Sequence, residues 1–211
     1  CEPVHETGGK LSEETTAWMK MQLEEAKKQG VTVIPVSHHN LLDESTLYPE
    51  ECTIENTKEV TALLEAYGVP VYLSGHLHLQ RIKKHTSNLN TPGGYGIREI
   101  VTSPLPMAPC QYSILNWQAD GSLSYHTKKV DIAGWAQRYG EEDENLLNFD
   151  TYADQFLVDV ISEQAFKALQ SASKDIKEEM ARLYADMNRD YCSGTKIDVA
   201  KIRKSEAYQY W

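Results

Sequence analysis

The apolar positions change period along the chain, and each change marks an element. After Ser12-Glu13-Glu14, Met19, Leu23 and Ala26 recur at helical spacing with Trp18 beside them, and Lys27-Lys28 precede Gly30. A hydroxyl cap, an acidic first turn and a basic last turn predict an amphipathic helix packed on a sheet. Residues 31–36 are almost continuously apolar, as in a strand covered on both faces, with Pro35 as an irregularity because proline cannot donate to a ladder. Residues 54–67 read as a helix, and Gly68-Val69-Pro70 opens a second apolar run that ends at Tyr72-Leu73-Ser74-Gly75. Strand, helix, strand with a right-handed crossover predicts two parallel strands whose carboxyl ends share one sheet edge.

Downstream the period shortens to two. Residues 97–102, 111–117 and 123–130 read as strands, the last two joined by Asp120-Gly121, and together they predict an antiparallel meander. Residues 86–96 resemble a long hairpin loop, and the proline-rich residues 103–109 read as a rigid loop, either lining a pocket or simply crossing over. Beyond Asp131 the helical period returns. The acidic run Glu141-Glu142-Asp143-Glu144 reads as a linker or an exposed helix start. Tyr152, Phe156, Val160 and Ile161, then Ile176, Met180, Leu183 and Met187, predict two amphipathic helices separated near Ser171-Ala172-Ser173, the second ending at Gly194. These stripes are read as core, and no chemistry is assigned to this part. The boundaries that follow are 1–132 for an α/β domain and 133–211 for a helical extension.

Candidate chemistry lies where the two apolar runs stop. The first ends in His38-His39-Asn40 and the second in Gly75-His76-Leu77-His78, so four of the seven histidines sit just past two strand ends. Imidazole is a ligand for divalent transition metals, and parallel strands would bring both clusters to one place. Glycine accepts positive φ freely, so the turn is expected at Gly75. His39 points away from His38 in an extended segment and is expected behind the ligands or toward substrate. Asn40 is either a turn residue or a substrate contact, and the polar loop after it, with Tyr48 as its aromatic candidate, reads either as a rim over the site or as a solvated connection. His85 and His126 read as ordinary exposed residues.

An apolar strand ending in His-His, followed a helix later by one ending in Gly-His-x-His, resembles the last two metal-binding motifs of the calcineurin-like metallophosphoesterases. The resemblance covers roughly residues 9–130. The family's earlier Asp-x-His, Gly-Asp-x-x-Asp and Asn-His motifs have no counterpart here, so the chain looks like the carboxyl-terminal half of such a domain. The implied fold is a partial four-layer α/β/β/α metallophosphoesterase sandwich, mixed α/β, with the helical extension added. The implied function is a fragment of a metal-dependent phosphoester hydrolase, a phosphomonoesterase or phosphodiesterase. Its two divalent ions (Mn, Fe, Zn or similar) would be held by His38, His76 and His78 together with the missing amino-terminal half, with His39, Asn40, Tyr48 and Gly75 in supporting or substrate-facing places. Such a fragment is expected to bind metal weakly and to hydrolyse nothing alone, since imidazoles do not supply the anionic oxygens that hold two cations close. The alternative is a non-catalytic interaction module derived from this fold. A metallo-β-lactamase-like site is excluded, because Gln80 and Arg81 stand where His-x-His-x-Asp-His needs its last two ligands.

Composition narrows the partners. A formal net charge of −10 over 211 residues opposes nucleic acid as a main partner; a phosphoester ligand is what the resemblance implies. No apolar run reaches the length of a membrane span, and the start lacks a signal peptide's basic and apolar regions. A soluble chain is expected, its compartment, cytoplasmic or extracytoplasmic, left open. Cys1 in place of methionine reads as the mark of a processed, cleaved or engineered fragment. The four cysteines are scattered, with no metal or redox spacing among them.

Overall fold

The structure is a computed structural model that describes residues 9–43, 52–85, 96–169 and 173–209. The chain divides into two compact units, Cys1–Thr102 and Ser103–Trp211. Together they make a mixed α/β chain of small sheets and many helices. The four-layer sandwich implied by the resemblance is not established by these sheets.

In the first unit, α1 (Glu13–Gln29) begins at Ser12, whose hydroxyl accepts from the Thr15 N–H, and stops at Gly30, where φ is 67°. Its contact face is narrow: Leu23 is buried and Met19 packs against the core, while Trp18 is exposed. Helix α2 (Thr57–Ala66) buries Val60, Thr61 and Leu64. Strands β1 (Val71–Ser74), β2 (Arg81–Lys84) and β3 (Arg98–Val101) form one sheet in the order β1-β3-β2. β1 runs parallel to β3, and β2 runs antiparallel to it.

The first apolar run joins the other edge of β1 in the expected parallel sense, but only as a single bridge, Val36 to Leu73. Its bonds are Leu73 N–H to the Pro35 carbonyl (3.0 Å) and Ser37 N–H to the Leu73 carbonyl (3.0 Å). Pro35 supplies an acceptor and no donor, which limits the ladder there. Nor is this run covered on both faces, since Val36 is 73 % exposed. The core lies instead around Leu23, Leu41, Leu42, Ile54, Val60, Leu64, Val69, Tyr72 and Ile97.

The expected meander is divided. β3 is the interior strand of the mixed sheet, with Ile100 and Val101 buried, so it takes the place of a covered strand rather than one of a one-faced meander. The antiparallel pair belongs to the second unit: β4 (Gln111–Trp117) and β5 (Leu123–Lys129) form a hairpin. Gly121 turns it with φ 83°. Helices follow at Ile132–Tyr139 (α3), Glu144–Leu147 (α4), Phe149–Ala168 (α5), Lys174–Ser193 (α6), Val199–Lys204 (α7) and Glu206–Gln209 (α8). The acidic run does start a helix, with Asp143 accepting from the Asn145 N–H.

The stripe expected to be core on α5 is misassigned. Tyr152 and Phe156 are exposed, and they stack along the outer surface with Phe149 at ring spacings of 6.1 and 6.3 Å. Leu157 and Val158 are buried instead, as are Met180, Ala181 and Ala185 on α6. Alanine lets two helix backbones approach closely, so the small side of α6 marks the contact better than the aromatic side of α5 does. Among the described residues no helix is long and apolar enough to cross a membrane.

Leu64 is fully buried at the centre of the first unit's core. Leu64→Ala is expected to lower unfolding free energy by about 2–5 kcal/mol through lost transfer energy and the cavity left behind, read from urea unfolding followed by circular dichroism.

Candidate functional site

The two histidine-bearing segments meet past the carboxyl end of β1. Gly75 N–H donates to the His38 carbonyl at 3.1 Å, carrying the parallel pairing one step beyond the strand. The side chains then converge: His76 Nδ1 lies 2.9 Å from His38 Nε2. Ring centroids of His38, His39 and His76 are 4.7 to 5.4 Å apart, so the expectation that His39 points away is not met. The run is not a regular strand at this point, which frees adjacent side chains from strict alternation. His78 is exposed on the same turn.

The turn is made differently from the sequence expectation. Gly75 does not have positive φ; His76 (φ 65°) and His78 (φ 53°) do. A side chain in this left-handed region is strained by about 1 kcal/mol or more, and such strain persists only where surrounding contacts hold it. A Cβ built on Gly75 meets only the His38 carbonyl oxygen at 3.9 Å, an ordinary contact.

What holds the turns is buried polar chemistry that the motif reading missed. Glu99 on β3 is fully buried, and its carboxylate accepts from Leu41 N–H (2.7 Å), Leu42 N–H (2.6 Å) and Ser74 Oγ (2.6 Å). Asn40, also fully buried, donates through Nδ2 to Ser74 Oγ (2.9 Å) and to the Gly75 carbonyl (3.3 Å). The backbone of Asn40 bridges to Cys52 and Ile54. Asn40 thus braces the two turns against each other from inside. Tyr72 OH donates to Ser37 Oγ (2.8 Å), and Ser37 Oγ donates to the His39 carbonyl. Burial pushes the Tyr72 phenol above its ordinary 10.0; the Ser37 hydrogen bond opposes this and the nearby Glu99 charge adds to it. A signal for Glu99 was present: it is a lone carboxylate inside the apolar strand sequence Ile97-Arg98-Glu99-Ile100-Val101.

His85 is not an ordinary exposed residue, since its Nδ1 lies 2.8 Å from Glu65 Oε1. His126 is exposed on β5. Tyr48 lies outside the described residues. Pro109, from the proline-rich loop, lines a cavity of about 440 Å³ in the second unit with Gln111, Lys129, Asp154 and Arg189. Its cations are neutralised by carboxylates, Lys129 by Asp150 and Arg189 by Asp154 and Asp186.

The donor chemistry of the imidazole pair fits a divalent cation in part. Two nitrogens each about 2.0–2.1 Å from one ion stand roughly 2.9 to 3.4 Å apart, depending on the angle between them, and the observed 2.9 Å falls there. The same spacing suits a hydrogen bond between two imidazoles, one donating and one accepting. Glu99 cannot add an anionic ligand, because its oxygens are committed to Leu41, Leu42 and Ser74. Among the described residues there is no group of three or more His, Cys, Asp or Glu side chains that could hold a metal ion.

Residues 131–211 match the family described as the C-terminal domain of cyclic nucleotide phosphodiesterase. The match covers α3 to α8, well under half of the chain. No curated protein matches the chain. The match overturns the resemblance to calcineurin-like metallophosphoesterases and the function drawn from it, a fragment completing a two-metal centre. The matching family is of a different description, and it matches the helical part, not the histidine motifs. The alternative of a non-catalytic module derived from that fold is withdrawn with it. At the level of class, the similarity is to a domain of a phosphodiesterase, a hydrolase.

Backbone strain gives a test that does not depend on activity. His78→Gly is expected to be more stable than His78→Ala by about 1 kcal/mol, because glycine takes φ 53° without a Cβ clash, and Gly75→Ala is expected to cost well under that. Chemical denaturation of the three variants checks both. Tyr72 gives a second test. Its folded form holds the proton more tightly, so its contribution to stability is complete below pH 10 and is lost as pH rises through the elevated folded value. Tyr72→Phe should therefore make the loss of stability above pH 10 shallower, read from unfolding midpoints across that range.

Proposed function

We propose that this chain is part of a phosphodiesterase hydrolase that opens the phosphodiester ring of a cyclic nucleotide, and that His38 and His76 are reaction-site residues within it. The observation that carries the class is the match of residues 131–211 to the cyclic nucleotide phosphodiesterase C-terminal domain. Support for the residues is the 2.9 Å approach of two imidazole nitrogens on a strained turn past a strand end, the place where ligand sites gather in open sheets.

Ring opening adds water at phosphorus and breaks one ester P–O bond, so a proton must leave the water and another must reach the departing oxygen. Imidazole is suited to both transfers near neutral pH. Were a divalent cation held between the two facing nitrogens instead, His38 and His76 would serve as its ligands and not in proton transfer. Such an ion, of the Mn, Fe or Zn kind, would supply charge neutralisation at phosphoryl oxygens and acidify a bound water. His39, stacked 4.7 Å from the His76 ring, limits how that ring can turn. Asn40 and Gly75 shape the turns from behind. The formal charge of −10 favours a small ligand over a polyanionic one.

The test is hydrolysis of cyclic nucleotides with five- and six-membered phosphate rings by protein carrying this sequence, with the phosphomonoester product quantified. Turnover of one ring size is expected, reduced about 100-fold or more in His38→Ala and in His76→Ala. Absence of turnover on both ring sizes, or full activity in both alanine variants, would overturn the proposal.

A further inference from the structure

We propose that Glu99, acting through Ser74, is a positioning residue that sets the separation of the His38 and His76 rings. The inference rests on reading that imidazole pair as the reaction site, but the brace itself is visible without it. The backbones of the two histidine segments are joined by a single bridge, Val36 to Leu73, and by one further bond, Gly75 N–H to the His38 carbonyl, with Tyr72 OH to Ser37 Oγ as a side-chain link below them. That is little to hold a spacing. One buried carboxylate closes the gap on three sides: it takes the N–H groups of Leu41 and Leu42, which follow the first histidine pair, and the hydroxyl of Ser74, two residues before His76.

The same hydroxyl accepts from Asn40 Nδ2, and Asn40 also reaches the Gly75 carbonyl. Every link of the chain Leu41/Leu42–Glu99–Ser74–Asn40–Gly75 is 2.6 to 3.3 Å long and buried or partly buried. Water competes poorly for such bonds, and a carboxylate bonded to two successive backbone N–H groups fixes the direction in which the chain leaves them. Glu99 is buried behind the turns and its oxygens are bonded to Leu41, Leu42 and Ser74. Its effect passes through the two turns to the rings.

Glu99→Gln keeps the size but replaces one acceptor oxygen by a donor, so it cannot receive both Leu41 and Leu42 N–H groups. Ser74→Ala leaves those two bonds and removes only the link to β1 and Asn40. With histidine selectively labelled in the full chain, cross-relaxation between the ring protons of His38 and His76 reports their 4.9 Å centroid spacing directly. Expected is a clear cross-peak in the unaltered protein that is lost in both variants, while each still melts in one cooperative transition. On the preferred cyclic nucleotide, kcat should fall about 100-fold with KM little changed, as for groups displaced by about 1 Å. A folded variant that keeps the cross-peak at full intensity overturns the proposal. If Glu99→Gln does not fold, Ser74→Ala decides alone by the same signal. Failure of the unaltered protein to hydrolyse either ring size would remove the functional reading while the ring signal still decides whether Glu99 positions the pair.

Discussion

Taking a carboxylate out of water is among the most expensive things a fold can do, and a buried charge survives only where hydrogen bonds replace its hydration. Glu99 meets that condition with two backbone N–H donors and one hydroxyl. In return it connects three stretches of chain far apart in sequence: the turn after His38-His39, the end of β1, and β3 itself. An apolar residue at position 99 would fill the space but would leave the Leu41 and Leu42 N–H groups buried and unpaired, at about 1–3 kcal/mol each. The sheet can therefore be regular on the β3 side and nearly absent on the Pro35 side. The carboxylate does there what a ladder does elsewhere.

Strain and brace belong together. His76 and His78 both hold left-handed backbone, a state that would relax in an unconstrained loop. His76 cannot relax without moving away from His38, and Gly75, through its N–H to the His38 carbonyl and its own carbonyl to Asn40, holds the point from which the turn begins. The glycine is a tight connector here rather than the residue that bends. This division of labour aims two ring nitrogens at one another across 2.9 Å, a spacing that neither chain segment would adopt by itself.

Much of the fold was legible because its signals are local. Ser12 and Gly30 bound α1, Asp120-Gly121 marks the β4–β5 turn, and Gly194 closes α6, each through a single residue's conformational preference. The parallel approach of the histidine segments was legible from strand order. The errors fall where the deciding term is long-range. Periodicity finds an apolar stripe but not which of two stripes faces a neighbour: it points to Tyr152 and Phe156, whereas Leu157 and Val158 are the buried pair. Val36 sits among apolar neighbours, yet coverage depends on what other chain segments do, and it is exposed. At the site, imidazoles advertise themselves by type, whereas Glu99 carries no motif. Its importance comes from two backbone N–H groups 57 and 58 residues away.

The family match and the histidines lie in different units of the chain, and this separation governs what each can say. A helical domain whose buried contacts are Leu157, Val158, Met180, Ala181 and Ala185 is defined by packing, which many sequences and many chemistries share. What it carries is a similarity to a phosphodiesterase domain, and no reacting atom. The first unit carries the paired imidazoles and no family match, and paired imidazoles serve hydrolysis, proton transfer and metal binding alike. Joining them requires a reaction that needs both halves of that description: an ester bond to phosphorus, broken near neutral pH, where imidazole changes charge. The proposed ring opening of a cyclic nucleotide satisfies it, because its substrate is a small monoanion compatible with a net acidic protein and the step consists of two proton movements and charge build-up on oxygen.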